Sequence, residues 1–206
     1  MTVPPQLALA TRNPGKIREI LEICSDWPTA WLTAFDPSIH RWLPDVEEIG
    51  GTYLDNALLK GRAAAEAGGV PAVSDDSGIE VDVLGGRPGP RSARFAGDHA
   101  TDEANLRLLI ERIRDVPSEG RTARYRCVAV CAWPEGTHAV AEGVCEGRLI
   151  DVPSGSGGFG YDPIFVPAGE ARTMAELSSE EKHRISHRGR AFRALRQALE
   201  QLPDPG

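Results

Sequence analysis

The sequence predicts an α/β protein of mixed α+β character, with a sheet flanked by helices. Short apolar runs alternate along the chain with segments whose apolar residues recur at helical spacing. Two long strand-like segments, residues 122–133 and 137–150, are separated only by Pro134-Glu135-Gly136, which predicts an antiparallel hairpin. A length of 206 residues is enough for one core, so we expect a single domain over 1–206.

The N-terminal third begins as strand, loop and helix. The pattern predicts, in order, a strand at 6–10, a helix at 16–24, a strand at 31–35, an acidic loop at 36–51 and a helix at 52–67. Thr52 is a suitable N-cap for the helix predicted at 52–67, and Gly68-Gly69 would end that helix.

Shorter elements follow along the rest of the chain. The pattern predicts strands at 72–74 and 79–83, a turn-rich loop at 85–90, a helix at 101–114, the hairpin, a strand at 164–166, a helix beginning at Ser178 and a closing helix through 191–202. Ser178 and Glu181 have the spacing of a capping box. Asp75-Asp76-Ser77-Gly78 has the composition of a turn between two strands.

Composition excludes several classes of function. With 30 acidic and 23 basic residues the net charge is −7, which argues against polymeric nucleic acid and anionic membranes as the main partners. A small anionic ligand remains compatible, because a pocket can be locally basic. The longest apolar run, 127–133, is too short to cross a bilayer, and no signal-peptide pattern opens the chain. We therefore expect a cytoplasmic protein whose four cysteines are unpaired thiols.

The first candidate site is Thr11-Arg12-Asn13-Pro14-Gly15-Lys16, between a predicted strand and a predicted helix. Backbone N–H groups at a helix N-terminus attract phosphate oxygens, and Lys16 adds a full positive charge. The segment is not a Walker A loop, because Ala10 and Ile17 stand where that motif has glycine and Ser or Thr. A turn that merely starts a helix is the alternative.

Two pairs of carboxylates are candidates for a magnesium site or for activation of water. Asp75 and Asp76 follow a predicted strand, and Glu47 and Glu48 lie in an acidic loop. Successive side chains of a strand point to opposite faces, so we expect only one of the two aspartates to face the site. A structural turn and an exposed acidic loop are the alternatives.

The glycine-rich run at 155–160 satisfies G-x-G-x-x-G but precedes an extended segment rather than a helix, so it is not a dinucleotide-binding fingerprint. The aromatic rings of Phe159 and Tyr161 could stack on a flat ring such as a base, and the Asp162 carboxylate could accept a hydrogen bond from a base N–H. The alternative is a hairpin loop whose aromatic rings fill the core.

Residues 180–190 are rich in basic side chains. Lys182, His187 and Arg188 could bind an anion or the edge of a base. The alternative is that they form the solvated, basic start of a helix. His183 and His187 are four residues apart, but no third zinc ligand is evident, and Ser186 interrupts the helix between them.

Five ordered blocks, spread over nearly the whole chain, together resemble the inosine triphosphate pyrophosphatase family, which includes the bacterial dITP/XTP pyrophosphatases. The blocks are L-A-T-R-N-P-G-K at 9–16, E-E-I-G-G-T-Y-L-D-N-A at 47–57, S-D-D-S-G-I-E-V-D-V-L-G-G-R-P-G at 74–89, G-S-G-G-F-G-Y-D-P-I-F at 155–165 and A-E-L-S-S-E-E-K-H-R-I-S-H-R-G-R-A at 175–191. The resemblance implies an elongated mixed sheet, two lobes around a central nucleotide cleft, and a homodimer. It also implies Mg²⁺-dependent hydrolysis of ITP, dITP and XTP to the monophosphate and pyrophosphate, which cleanses the nucleotide pool.

The resemblance also implies roles for individual residues. Asp76 is the general base and a metal ligand, and Glu47 or its neighbour Glu48 completes the metal site. The substrate-binding residues are Thr11, Arg12, Asn13, Pro14, Gly15 and Lys16 for the triphosphate, with Ser77, Phe159, Gly160, Tyr161, Asp162, Lys182, His187 and Arg188 for the rest of the nucleotide.

Two alternatives stay open at this point. One is a pyrophosphatase for other modified nucleotides, including pyrimidines. The other is a non-catalytic nucleotide-binding or regulatory protein, against which Lys16 and Asp75-Asp76-Ser77 argue.

Overall fold

The computed structural model describes residues 3–47 and 50–201. Helices and strands alternate broadly as predicted: β1 (Gln6–Leu9), α1 (Pro14–Ile23), β2 (Ala30–Leu32), α2 (Pro37–Trp42), α3 (Tyr53–Gly68), β3 (Ala72–Val81), β4 (Arg87–Pro88), α4 (Asp102–Ile113), β5 (Thr122–Ala132), β6 (His138–Leu149), β7 (Phe165–Pro167), α5 (Ser179–Ile185) and α6 (His187–Gln201). Short 3-10 turns occupy Asp82–Leu84, Gly89–Arg94, Ser118–Gly120, Asp162–Ile164 and Met174–Glu176.

The described strands form a mixed sheet, which confirms the predicted fold class. Their order is β2-β1-β3-β5-β6-β7, and β4 pairs with β3. Strand β1 runs parallel to β2 and to β3, and a helix lies in each connection, as parallel neighbours require. The β3–β4 and β6–β7 pairs are antiparallel. The predicted turn between β5 and β6 is closed by a hydrogen bond from the Trp133 N–H to the Thr137 carbonyl, 2.9 Å long.

Several predicted helix ends are confirmed. The hydroxyl of Thr52 accepts from the Asp55 N–H at 3.1 Å, and Gly69 ends α3 in the left-handed conformation that glycine adopts without strain. Ser178 and Glu181 form the predicted capping box of α5. Ser186 separates α5 from α6, as expected.

The predicted turn at 75–78 is wrong. Asp75, Asp76 and Ser77 lie inside β3, which runs unbroken through both predicted strands. Aspartate is disfavoured in strands because it is costly to bury without a partner. Here cationic and amide side chains contact both carboxylates, so tertiary contacts override the local preference.

Three smaller predictions also need correction. The predicted loop at 36–51 contains α2, whose N-cap Asp36 accepts from the Ser38 N–H at 2.8 Å. The predicted loop at 85–90 contains β4. The segment 161–165 is not wholly extended, because the fixed φ of Pro163 suits the 3-10 turn that precedes β7.

The chain divides into two compact units, and their boundaries fall inside β3, β5 and β6 and directly after His187, the first residue of α6. The first unit comprises 1–76, Cys127–Gly143 and 188–206, and the second comprises Ser77–Arg126 and Val144–His187.

Each unit has its own apolar core. In the first, α1 and α6 pack on the central strands around Leu7, Leu9 and Phe192. In the second, α4 packs through Leu109 and Ile113. All four cysteines are buried and free, as predicted, and no helix among the described residues is long and apolar enough to cross a membrane.

A substitution at Gly147 tests how tightly β7 packs on β6. A Cβ at this position would overlap the Val166 carbonyl oxygen and come within 2.6 Å of the Phe165 ring. Gly147→Ala should therefore lower the free energy of unfolding by about 1–3 kcal/mol, measured by urea denaturation. Gly51→Ala is the control, because a Cβ there meets no described atom within 4 Å. Equal stability of the two variants would contradict this packing.

Candidate active site

The phosphate-loop candidate is a preformed turn at the start of α1. Asn13 is the N-cap, and its side-chain oxygen accepts from the Lys16 N–H at 3.1 Å. The Thr11 hydroxyl accepts from the Asn13 N–H at 3.2 Å, and Pro14 occupies the first helical turn. Thr11 and Asn13 thus hold the loop itself in shape, so its backbone needs little rearrangement to meet an anion.

Arg12 points away from this turn toward α2. Its guanidinium lies 2.7 Å from His40 Nε2 and donates to the carbonyl oxygens of His40, at 3.1 Å, and Leu43, at 2.5 Å. The side chain therefore ties the loop to the segment that leads to Glu47. This contact with α2 was not part of its predicted role.

A buried ionic group surrounds Asp75 in the first unit. Lys16 Nζ lies 3.2 Å from Asp75 Oδ2, and Arg188 Nη2 lies 3.1 Å from the same oxygen. Arg188 Nη1 also contacts Glu19, at 2.5 Å. The site thus links the start of α1, the middle of β3 and the start of α6 through charge-assisted hydrogen bonds.

The charge on Asp75 is stabilised by its neighbours. Burial by itself would raise the pKa of this carboxyl, but Lys16, Arg188 and Lys60 together outweigh burial and hold the pKa far below its ordinary value. For the cationic Arg188 the directions are reversed. Burial by itself would lower its pKa, but the charges of Asp75 and Glu19 outweigh burial and raise it. Asp75 Oδ1 is buried and has no hydrogen-bond partner among the residues that the structure describes.

Asp76 contacts α3. Its Oδ2 accepts from Asn56 Nδ2 at 3.0 Å, and its Oδ1 lies 3.5 Å from Lys60 Nζ. Asn56 and Lys60 are four residues apart and so share one face of α3. Asn56 also accepts from the Gly50 N–H at 2.8 Å, which anchors the last residues of the predicted acidic loop to α3.

The metal-site candidates are only partly described. Glu47 is exposed, and Glu48 lies outside the described residues. No group of three or more His, Cys, Asp or Glu side chains within 3–47 and 50–201 is arranged to hold a metal ion.

The glycine-rich loop and α5 meet within the second unit. Asp162 Oδ2 accepts from Lys182 Nζ at 2.6 Å and from the Phe159 N–H at 3.0 Å, and both charged side chains are buried. The ammonium also lies 5.4 Å from the centre of the Phe159 ring, within cation–π range. Gly158 is required here, because a Cβ would overlap the Asp162 carboxylate and its φ is +70°.

Gly160 and Tyr161, which follow Phe159, contact residues outside the glycine-rich loop. The Gly160 N–H donates to Asp102 at 3.1 Å. Tyr161 is buried and donates its hydroxyl hydrogen to the Ser92 carbonyl at 2.7 Å, so its ring fills the core. Burial raises its pKa. Ser77 is half-buried on β3.

His187 is buried at the beginning of α6, and its ring stacks on Tyr125. Lys182 and His187 fall in the second unit, whereas Arg188 falls in the first and pairs with Asp75. The predicted residues therefore gather in two polar groups: Lys16, Asp75, Asp76 and Arg188 in one, and Phe159, Asp162 and Lys182 in the other.

A family model described as the Ham1 family matches residues 7–198. The chain belongs to the Ham1 family. Among its relatives, the dITP/XTP pyrophosphatase of Streptomyces coelicolor is 53% identical over 198 residues, which cover 96% of this chain and 98% of the relative. The dITP/XTP pyrophosphatase of Escherichia coli K12 is 45% identical, with 94% and 98% covered.

Solved structures agree with this membership. A HAM1 protein from Coxiella burnetii superposes with a TM-score of 0.83 at 35% identity, covering 97% of this chain and all of that one. A structure titled nucleoside-triphosphatase, dITP/XTP pyrophosphatase, from Mycobacterium abscessus gives 0.71 at 41% identity, with 92% and 98% covered. The Ham1 fold thus spans nearly the whole chain, and the predicted resemblance is confirmed.

Sequence reasoning missed Glu19, Asn56 and Lys60, which contact the predicted site residues of this Ham1 chain. A signal was present for two of them. Asn56 and Lys60 place polar side chains four apart on a helix that otherwise buries small apolar residues, and both lie in or beside one of the family blocks. Glu19 lies three residues after Lys16, but nothing in the sequence pairs it with a residue 169 positions away.

The Asp75 charge makes stability depend on pH. Because the folded-state pKa is depressed, the stabilisation is fully present above about pH 4 and is lost as pH falls further, by about 1.4 kcal/mol per pH unit. Asp75→Asn should lower the free energy of unfolding at pH 7 by about 3–5 kcal/mol, because the buried guanidinium of Arg188 and the partly buried ammonium of Lys16 lose the carboxylate that matches their charge.

Urea denaturation between pH 7 and pH 3 measures both effects of Asp75→Asn. The loss below pH 4 should be shallower in this variant than in the wild type. The exposed Asp45→Asn serves as the control and should keep the wild-type slope. Identical slopes for Asp75→Asn and the wild type would contradict an ionised, buried Asp75.

Proposed function

We propose that this chain hydrolyses deaminated purine nucleoside triphosphates, namely dITP, XTP and ITP, to the monophosphate and pyrophosphate. The observation that carries the proposal is the 53% identity, over 96% of the chain, to a protein named dITP/XTP pyrophosphatase. The cellular role that we propose for this chain is to cleanse the nucleotide pool in the cytoplasm. The family resemblance implies that it acts as a homodimer.

The polar group of the first unit suits the triphosphate. The backbone at 11–16 offers N–H groups at a helix start, and Lys16 and Lys60 supply positive charge. Asp75 holds Lys16 in place beside the loop. These contacts support binding of phosphate oxygens whatever base the nucleotide carries.

Asp76 is the proposed general base. Asn56 and Lys60 fix its carboxylate from one side, so its orientation is set before substrate arrives. In this role Asp76 takes a proton from the attacking water, while the lysine charges stabilise the negative charge that develops on the phosphoryl oxygens.

Asp76 and Glu47 offer the carboxylate oxygens that Mg²⁺ prefers. This ion commonly takes only one or two protein carboxylates and completes its shell with waters and substrate phosphates, so these two carboxylates suit it. When bound, Mg²⁺ neutralises phosphate charge and lowers the pKa of a bound water.

The polar group of the second unit suits the base. Phe159 offers a ring face, and Lys182, held by Asp162, offers a donor for a purine 6-oxo group. Adenine carries an amino donor at that position, which would leave such donors unpaired and so disfavours ATP. His187 and Arg188 are assigned to the base by resemblance, although the described contacts of Arg188 are with Asp75 and Glu19.

Pyrophosphate release across a nucleotide panel with Mg²⁺ tests the proposal. We expect kcat/KM for dITP, XTP and ITP to exceed the value for ATP by about 100-fold or more, because the amino group of adenine cannot pair with donors that fit a 6-oxo group. Faster hydrolysis of dUTP or of another modified pyrimidine would overturn the substrate class. Binding without pyrophosphate release would indicate a non-catalytic nucleotide-binding protein.

Asp76→Asn tests the general base. The change removes the proton acceptor but little volume, so kcat for ITP should fall by about 10²–10⁴-fold while calorimetry still detects ITP binding. Asp45→Asn, at an exposed position of the same unit, should keep wild-type turnover. Retained activity in Asp76→Asn would contradict the assignment.

A further inference from the structure

Three rings of the second unit form a short column that ends on His187. The imidazole lies on the face of Tyr125, with ring centres 4.5 Å apart and planes within 8° of parallel. Tyr125 in turn meets Phe165 edge to face, at 4.8 Å. Offset stacks and edge-to-face contacts are favourable arrangements of aromatic rings, so this column is a stable unit.

The column fixes the orientation of the imidazole. Tyr125 extends from the regular strand β5, and Phe165 from β7, so both supporting rings stand on the sheet. His187, in contrast, is the first residue of α6, directly after the break at Ser186. His187 is buried at this helix start, and the stack on Tyr125 sets the plane of its ring.

We propose that Tyr125 is a positioning residue for base selection, because it sets the plane in which His187 meets the base. This role rests on the proposed function, in which His187 contacts the purine. Hydrogen bonds weaken steeply when the donor angle falls below about 120°, so a tilted imidazole would lose much of its contact with the base. The phosphate-binding residues of the first unit would be unaffected.

A purely structural role for Tyr125 makes a different prediction. If the ring only filled the core, any substitution that cost the same stability would change activity equally with all nucleotides. Tyr125→Phe keeps the stacking face, whereas Tyr125→Leu keeps an apolar side chain and removes the stack. Ile113→Ala, in the same core but outside the ring column, is the control for lost stability.

The first measurement is the ratio of kcat/KM for ITP to that for ATP, at a temperature where all variants are folded. We expect the ratio to fall by about two- to ten-fold in Tyr125→Leu, the range of a lost ring contact, and to stay at the wild-type value in Tyr125→Phe and Ile113→Ala. An unchanged ratio in an active Tyr125→Leu, or an equal fall in Ile113→Ala, would overturn the proposal. If the wild type does not hydrolyse ITP, the proposed function itself has failed.

The second measurement needs no substrate. Nuclear magnetic resonance of protein labelled with ¹³C-histidine reports the ring C–H signals of the five histidines, and His187→Gln identifies the signal of His187. The ring current of Tyr125 should shift this signal upfield in the wild type and in Tyr125→Phe. The shift should disappear in Tyr125→Leu. An unchanged signal in Tyr125→Leu would show that the stack is not present in solution and would overturn the proposal independently of activity.

Discussion

The carboxylate of Asp75 is a buried negative charge that must be matched by positive charge. Lys16 and Arg188 supply it from the starts of two different helices, at 3.2 and 3.1 Å from one oxygen. Lys16 and Arg188 carry two positive charges against the one negative charge of Asp75, and Glu19 supplies a second negative charge by contacting Arg188. Removing one partner of such a buried group leaves an uncompensated charge, so the positions of α1, β3 and α6 in the first unit depend on one another.

This constraint also sets the chemistry available at neighbouring positions. Successive side chains of a strand point to opposite faces, so Asp76, next to Asp75 on β3, contacts Asn56 and Lys60. The two aspartates thus have different partners: Asp75 holds Lys16 at the start of α1, and Asp76 contacts α3. In the second unit, Asp162 plays a comparable holding part toward Lys182, which keeps a cation beside the Phe159 ring.

Local signals in the sequence were sufficient for the hairpin, the α3 and α5 caps, and the break at Ser186, since these depend on residues close together in the chain. The strand through Asp75 and Asp76 was not predictable locally, because it exists only where distant cations meet the two carboxylates. The contacts of Glu19 with Arg188 and of Tyr125 with His187 join residues far apart in sequence. The predicted phosphate binding at residues 11–16 came from the junction of a strand and a helix and from Lys16, and the family blocks supported it. The structure adds that Thr11 and Asn13 shape the loop while Arg12 contacts α2.

The contacts of α1, β3 and α6 require Asp75 to be ionised, and a ¹³C-carboxyl titration of the folded protein measures this. Labelled aspartate signals are followed from pH 7 downward, and Asp75→Asn identifies the signal of Asp75. Because Lys16, Arg188 and Lys60 hold the pKa of this carboxyl far below its ordinary value, its signal should not move as the pH falls through about 4, the ordinary pKa of an aspartate. A transition of the Asp75 signal at or above pH 4 would contradict the account.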